Sequence, residues 1–182
     1  MTLKEDIISD LSPKNGSLSG ALISFFIAIG VFVIFPYIIF ILTAGYIDDN
    51  IAVLEDIGPI KGAVWAWVED IIKYSFPLVI LSLFIGFYRA GSYVRIPLKI
   101  LFALYIGAWL WISSHGGVFG FSAGGMTLGL DITHVVYVMV MISFAMIFVA
   151  FAEFSGNRKK YLEAIDKKKD TMSRRRARRL SG

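Results

Sequence analysis

NGSLSGALISFFIAIGVFVIFPYIIFILTAGYI, residues 15–47, contains 33 consecutive positions without Lys, Arg, Asp or Glu. About 20 helical residues cross ~30 Å of hydrocarbon, so the run predicts a first transmembrane helix over 19–43 with length to spare. Pro36 lies inside it. A proline there offers no amide hydrogen and its ring crowds the carbonyl four residues back, which predicts a kink. The residues before the run carry Lys4 against Glu5, Asp6 and Asp10. A secretory leader has a basic start and an apolar core of only about 7–15 residues. The run therefore reads as a retained span, with a leader ending near Ala44 as the alternative.

The rest of the chain repeats the theme. A second span is expected over 71–88, its helix starting earlier at Gly58-Pro59, because proline suits a first helical turn. Val64, Trp65, Val68, Ile71 and Ile72 then share one side at helical spacing. The uncharged part of this span is short, so Lys73 must snorkel. A third span is expected over 97–114, with Lys99 snorkelling at its inner end. The few residues between Tyr88 and Ile96 make these two an antiparallel hairpin. A fourth span is expected over 132–152. The fold class is all-α, a four-helix membrane bundle. Around the membrane domain (19–154) lie an amino-terminal segment (1–18) and a basic tail (155–182).

Composition agrees. Of the 182 residues 57% are hydrophobic, with a mean hydropathy of +0.70, against about 45–50% apolar for a soluble domain. The absence of cysteine excludes disulfides, thiolate metal sites and iron–sulfur ligation.

Orientation follows from the loops. Lys4 and Lys14, then Arg89, Arg95 and Lys99, then eleven basic residues from Glu153 onward account for 16 of the 18 in the chain. Only Lys61 and Lys73 fall on the other side. The positive-inside rule sets both termini in the cytoplasm, and a cell membrane is the expected location. Trp65, Trp67, Trp109 and Trp111 gather at the opposite, outer interface, where indole rings are favoured.

Few polar groups offer chemistry. The first outer segment holds Asp48, Asp49, Glu55, Asp56, Glu69 and Asp70 against Lys61. Such a field could concentrate cations, though outer loops are also free to be acidic. The second outer loop, His115 to Leu130, has six glycines and no charged residue. It could re-enter the bilayer, where exposed carbonyls would coordinate an ion. Gly116, Gly117, Gly120, Ser122, Gly124, Gly125 and Thr127 are the candidate pore or ligand positions. The plainer reading is a compact surface loop with glycine turns. His115, Asp131 and His134 flank this loop and could hold a divalent metal or sense pH. Asp131 could equally cap span four. Within the spans, Ser24, Ser75, Ser82 and Ser143 with Gly30, Gly86 and Gly107 suit close helix contacts. No central charge offers a proton relay, and no catalytic motif or cofactor fingerprint is present.

From Glu153 the chain carries eleven basic and four acidic residues, a net +7. Tyr161, Leu162 and Ile165 suggest a short amphipathic helix there. Lys167, Lys168, Lys169, Arg174, Arg175, Arg176, Arg178 and Arg179 are the candidate contacts to anionic inner-leaflet lipid, with nucleic acid the lesser expectation. The sequence thus reads as a non-enzymatic multi-pass protein, a homo-oligomer or complex subunit, acting first in passage or sensing of a small solute or ion. The alternatives are an anchoring subunit whose basic tail docks a partner, and a redox or metal subunit using His115, Asp131 and His134.

Overall fold

The computed structural model describes residues 10, 16–51, 58–123 and 126–180. Four helical stretches are long and apolar enough to cross a membrane: Leu18–Gly45, Val64–Phe87, Arg95–Ser113 and Thr133–Lys168. Only 6 to 22% of each apolar window is buried within the chain. So much outward-facing hydrocarbon is untenable in water but is at home in lipid.

The first span enters as α1 (Leu18–Ile29), where the Ser17 hydroxyl accepts the Gly20 N–H at 3.2 Å. It continues through a π-helical turn, Gly30–Ile34, into α2 (Phe35–Ile51). Pro36 explains the turn. It has no hydrogen to give the Phe32 carbonyl, and its ring crowds that oxygen. The backbone widens just upstream, and the Phe35 N–H reaches the Gly30 carbonyl five residues back. The expected kink is therefore a π-bulge. Gly30, expected at a helix contact, instead begins this bulge; an added Cβ there would meet nothing within 4 Å.

The next helix, α3 (Gly58–Phe87), starts at the Gly-Pro pair and carries Pro77 in its interior. It lies against α1 at backbone contact. A Cβ added to Gly86 would sit 2.4 Å from the Gly20 carbonyl oxygen, and one added to Gly20 would sit 2.6 Å from that of Gly86. Nearby, the Ser82 hydroxyl donates to the Ser24 carbonyl at 2.9 Å. Small residues permit this approach, and the hydroxyl adds a bond where lipid offers none.

The third span, α4 (Arg95–Ser113), folds back along α3. The Trp109 indole N–H donates to the Ile71 carbonyl at 3.3 Å and the Tyr105 hydroxyl to the Tyr74 carbonyl at 3.1 Å. Trp67 donates to the Ser113 carbonyl. These tryptophans gather at one end, as expected, but two of them spend their N–H groups on other helices.

The last helix, α5 (Thr133–Leu180), runs 48 residues without interruption. It packs on α4, where Ala103 is fully buried and a Cβ on Gly107 would lie 2.9 Å from the Ser143 Oγ. The expected boundary at 154/155 does not interrupt its hydrogen bonding. Glu163 with Lys167, and Asp170 with Arg174, stand at i, i+4 in the favourable order for an exposed helix.

The architecture is helical as expected, and beside the helices residues 118–123 and 126–131 form a two-stranded antiparallel ribbon, β1 (Val118–Ala123) and β2 (Met126–Asp131), with Gly120 opposite Gly129 and Ser122 opposite Thr127.

Candidate functional site at the terminal end of the bundle

Asp10, the 88–95 turn and residues 150–161 of α5 meet at one end of the bundle, here the terminal end. The chain folds this way locally because Gly91 permits it. Its φ is +91°, and an added Cβ would lie 2.8 Å from the Asn157 carbonyl oxygen and 2.9 Å from the Tyr161 Cβ. Only glycine lets the turn between α3 and α4 lie directly on α5.

Against that platform Asp10 is 1% exposed. Its Oδ2 accepts the Tyr93 backbone N–H at 2.9 Å and Arg158 Nη1 at 3.0 Å, and its Oδ1 accepts the Tyr161 hydroxyl at 2.9 Å. Arg158 Nη1 also donates to the Gly91 carbonyl at 2.9 Å, and its guanidinium lies 4.3 Å from the centre of the Tyr93 ring. A buried carboxylate is tolerable only when its charge is matched and its lone pairs are filled; here both conditions hold. The contacts join residue 10, the turn and α5 into one clasp.

A second group sits one to two turns nearer the membrane centre. Arg95 Nη2 pairs with Glu153 Oε1 at 3.3 Å, Lys99 Nζ pairs with Glu153 Oε2, and Arg95 Nη1 donates to the Tyr88 carbonyl at 3.1 Å. Lys99, expected to snorkel, is held by Glu153. In this second group one carboxylate, Glu153, faces two cations, Arg95 and Lys99. Between the groups lies a small cleft lined by Gly91, Ser92, Arg95, Lys99, Glu153 and Phe154, among others, with about 10 Å³ of free space. That is room for roughly one water.

The far end of the bundle holds the sites expected from sequence. Gly116 and Gly117 lie in a 3₁₀ turn, His115–Gly117, with φ of +69° and +91°. Gly117 is required, since an added Cβ would meet Thr133 backbone atoms at 2.6 Å. Its carbonyl accepts the Ile132 N–H at 2.7 Å, closing the base of the ribbon. Gly120, Ser122 and Thr127 are strand residues whose segments pair with each other; Gly124 and Gly125 lie outside the described residues. The loop that offered candidate ligand carbonyls thus carries, in its described residues, a paired antiparallel ribbon.

Among the described residues no three His, Cys, Asp or Glu side chains come together to hold a metal ion. His115, Asp131 and His134 do not form the expected cluster. Asp131 is occupied instead as a cap: its Oδ1 accepts the Thr133 N–H at 2.9 Å. The Thr133 hydrogen bonds, aided weakly by nearby His134, hold this carboxyl below its ordinary range.

The acidic residues at 48, 49, 55 and 56 have no described side chains, and no site is built from them. Sequence reasoning missed Asp10, Glu153, Arg158 and Tyr161. Arg158 and Tyr161 are three apart and share a helix face, but nothing in the sequence ties that face to a residue about 150 positions earlier. Comparison with protein-family models, with curated proteins and with solved structures finds no match to this chain.

Proposed function

We propose that the chain is a membrane anchor that holds a rigid basic helix out into the cytoplasm, where it docks an anionic partner. The supporting observation is the continuity of α5, from Thr133 in the bundle to Leu180. By the positive-inside rule the terminal end is cytoplasmic. The apolar run ends at Ala152, and the 28 residues from 153 to 180 extend about 42 Å at the helical rise. Lys167 to Arg179 then stand roughly 20–40 Å beyond the apolar boundary. Attraction to the chain's own leaflet fades within a Debye length of about 8 Å. Tail charges so placed favour a partner in the cytosol over the membrane surface. The clasp fits this role, because it fixes the base of the helix to two other parts of the chain.

The passage reading ranks second. It drew on the uncharged glycine loop, the acidic outer segment and the charge-free interior of the spans. Two preparations test the order: the full chain and a chain ending at residue 166, which keeps Arg158 and Tyr161, each extracted in mild detergent and weighed intact. The anchor reading expects a stoichiometric partner on the full chain and none on the shortened one. A full chain that carries no partner, yet conducts or passes ions in liposomes, would reverse the ranking.

A further inference from the structure

We propose that the cleft between α4 and α5 at the terminal end is a binding site for a phosphate oxygen of an anionic phospholipid. Arg95 and Lys99 stand one turn apart on α4 and converge on one carboxylate, Glu153. Two cations on one anion leave a full positive charge, and each cationic side chain is still about a quarter exposed, at 24% and 23%. The guanidinium is incompletely satisfied, since Arg95 Nε is buried without an acceptor among the described residues. A buried donor left open calls for an oxygen that belongs there. The α4 amino terminus adds to the demand, because Val94, its cap residue, supplies no side-chain acceptor and the helix dipole is positive at that end.

The cleft excludes an organic solute but takes one oxygen at its mouth. Its surroundings indicate the source. Leu101 and Phe151, on the two helices that frame the cleft, are each 50% exposed. They lie toward the membrane centre, where acyl chains would rest while the phosphate meets the cations at headgroup level. Basic clefts between spans at the cytoplasmic side suit anionic headgroups. This inference depends only on the spans and their orientation, and stands or falls apart from the anchor reading.

The test uses the full chain, with bound lipids counted by native mass spectrometry during titration with phosphatidylglycerol, with phosphatidylcholine, and with inorganic phosphate competing. The wild type should retain one phosphatidylglycerol in preference to phosphatidylcholine, undisturbed by millimolar phosphate. Lys99→Gln should weaken that lipid about fivefold, the effect of one basic group near an anionic headgroup. Glu153→Gln removes the competing carboxylate and should tighten it by a similar factor. This second variant keeps the test decisive where Lys99→Gln fails to fold, because a purely structural triad would lose affinity in both. Equal retention of the two lipids, displacement by inorganic phosphate, or weaker binding in Glu153→Gln would each overturn the proposal.

Discussion

Replacing Asp10 by alanine should open the clasp between residue 10, the 88–95 turn and α5. The side chain accepts three hydrogen bonds, two of them on the oxygen facing Arg158 at 3.0 Å. At an effective dielectric near 20, unit charges at that distance attract by about 5 kcal/mol. Desolvation takes back much of this in the intact pair, but the variant forfeits the attraction and leaves Arg158 still only 15% exposed. Breaking one partner of such a pair costs about 3–5 kcal/mol. The Tyr93 amide reports the event directly, since its hydrogen is held by Asp10 Oδ2. Its exchange with deuterium in lipid nanodiscs should accelerate by about two orders of magnitude or more, at 1.4 kcal/mol per factor of ten. The double variant Asp10→Ala with Arg158→Met should recover a good part of the global stability, because the guanidinium is then removed together with the carboxylate that matched it. Tyr93 exchange within threefold of the wild type in Asp10→Ala, with unchanged thermal stability, would refute the clasp.

Four further outcomes follow from the packing and the hydrogen bonds. Gly86→Ala should destabilise the α1–α3 pair by about 2 kcal/mol or more, because the new methyl meets backbone at 2.4 Å. Gly156→Ala faces open space and should raise helix stability by up to ~1 kcal/mol; detergent unfolding curves distinguish the two. Gly91→Ala combines a left-handed φ with a clash on α5 and should cost about 3 kcal/mol, read as thermal stability and as loss of Tyr93 amide protection. The Thr133 hydrogen bonds hold the Asp131 carboxyl below its ordinary value of 3.8. Its depressed value means the capping contribution is complete above the unfolded carboxyl range and is lost as pH falls through the lower, folded value. The carboxyl carbon shift followed by NMR should therefore show a midpoint below 3.8, and a midpoint above it would contradict the cap.

The spans were legible because a charge-free run of membrane length seldom serves any end but crossing lipid. Local chemistry was legible too: Pro36 marked the π-bulge, Gly86 and Gly107 marked close helix contacts, and Asp131 had the position of a cap. The ribbon was legible in principle. Phe119 to Ser122 and Thr127 to Leu130 flank a central Gly124-Gly125, a strong short-range hairpin signal. The reading weighed a compact surface loop against re-entry and did not consider strand pairing. The continuity of α5 was harder to see, since Gly156 and the change from apolar to charged sequence at Glu153 suggest a boundary. Backbone hydrogen bonding does not respond to that change, and the i, i+4 charge pairs carry the helix onward. The clasp was not legible. Asp10 and Arg158 are brought together by the antiparallel order of four spans, and no local spacing encodes that meeting.

The central claim is that α5 is one rod mounted in the membrane. The chain has no native cysteine, so Met141→Cys and Ser173→Cys accept spin labels cleanly; Met141 is 68% exposed in the span and Ser173 is exposed in the tail. Double electron–electron resonance on the labelled protein in nanodiscs measures the separation. An unbroken helix predicts a narrow distribution centred at about 48 Å. A tail folded at Gly156 onto the membrane surface would give about 34 Å, and that result would contradict the account.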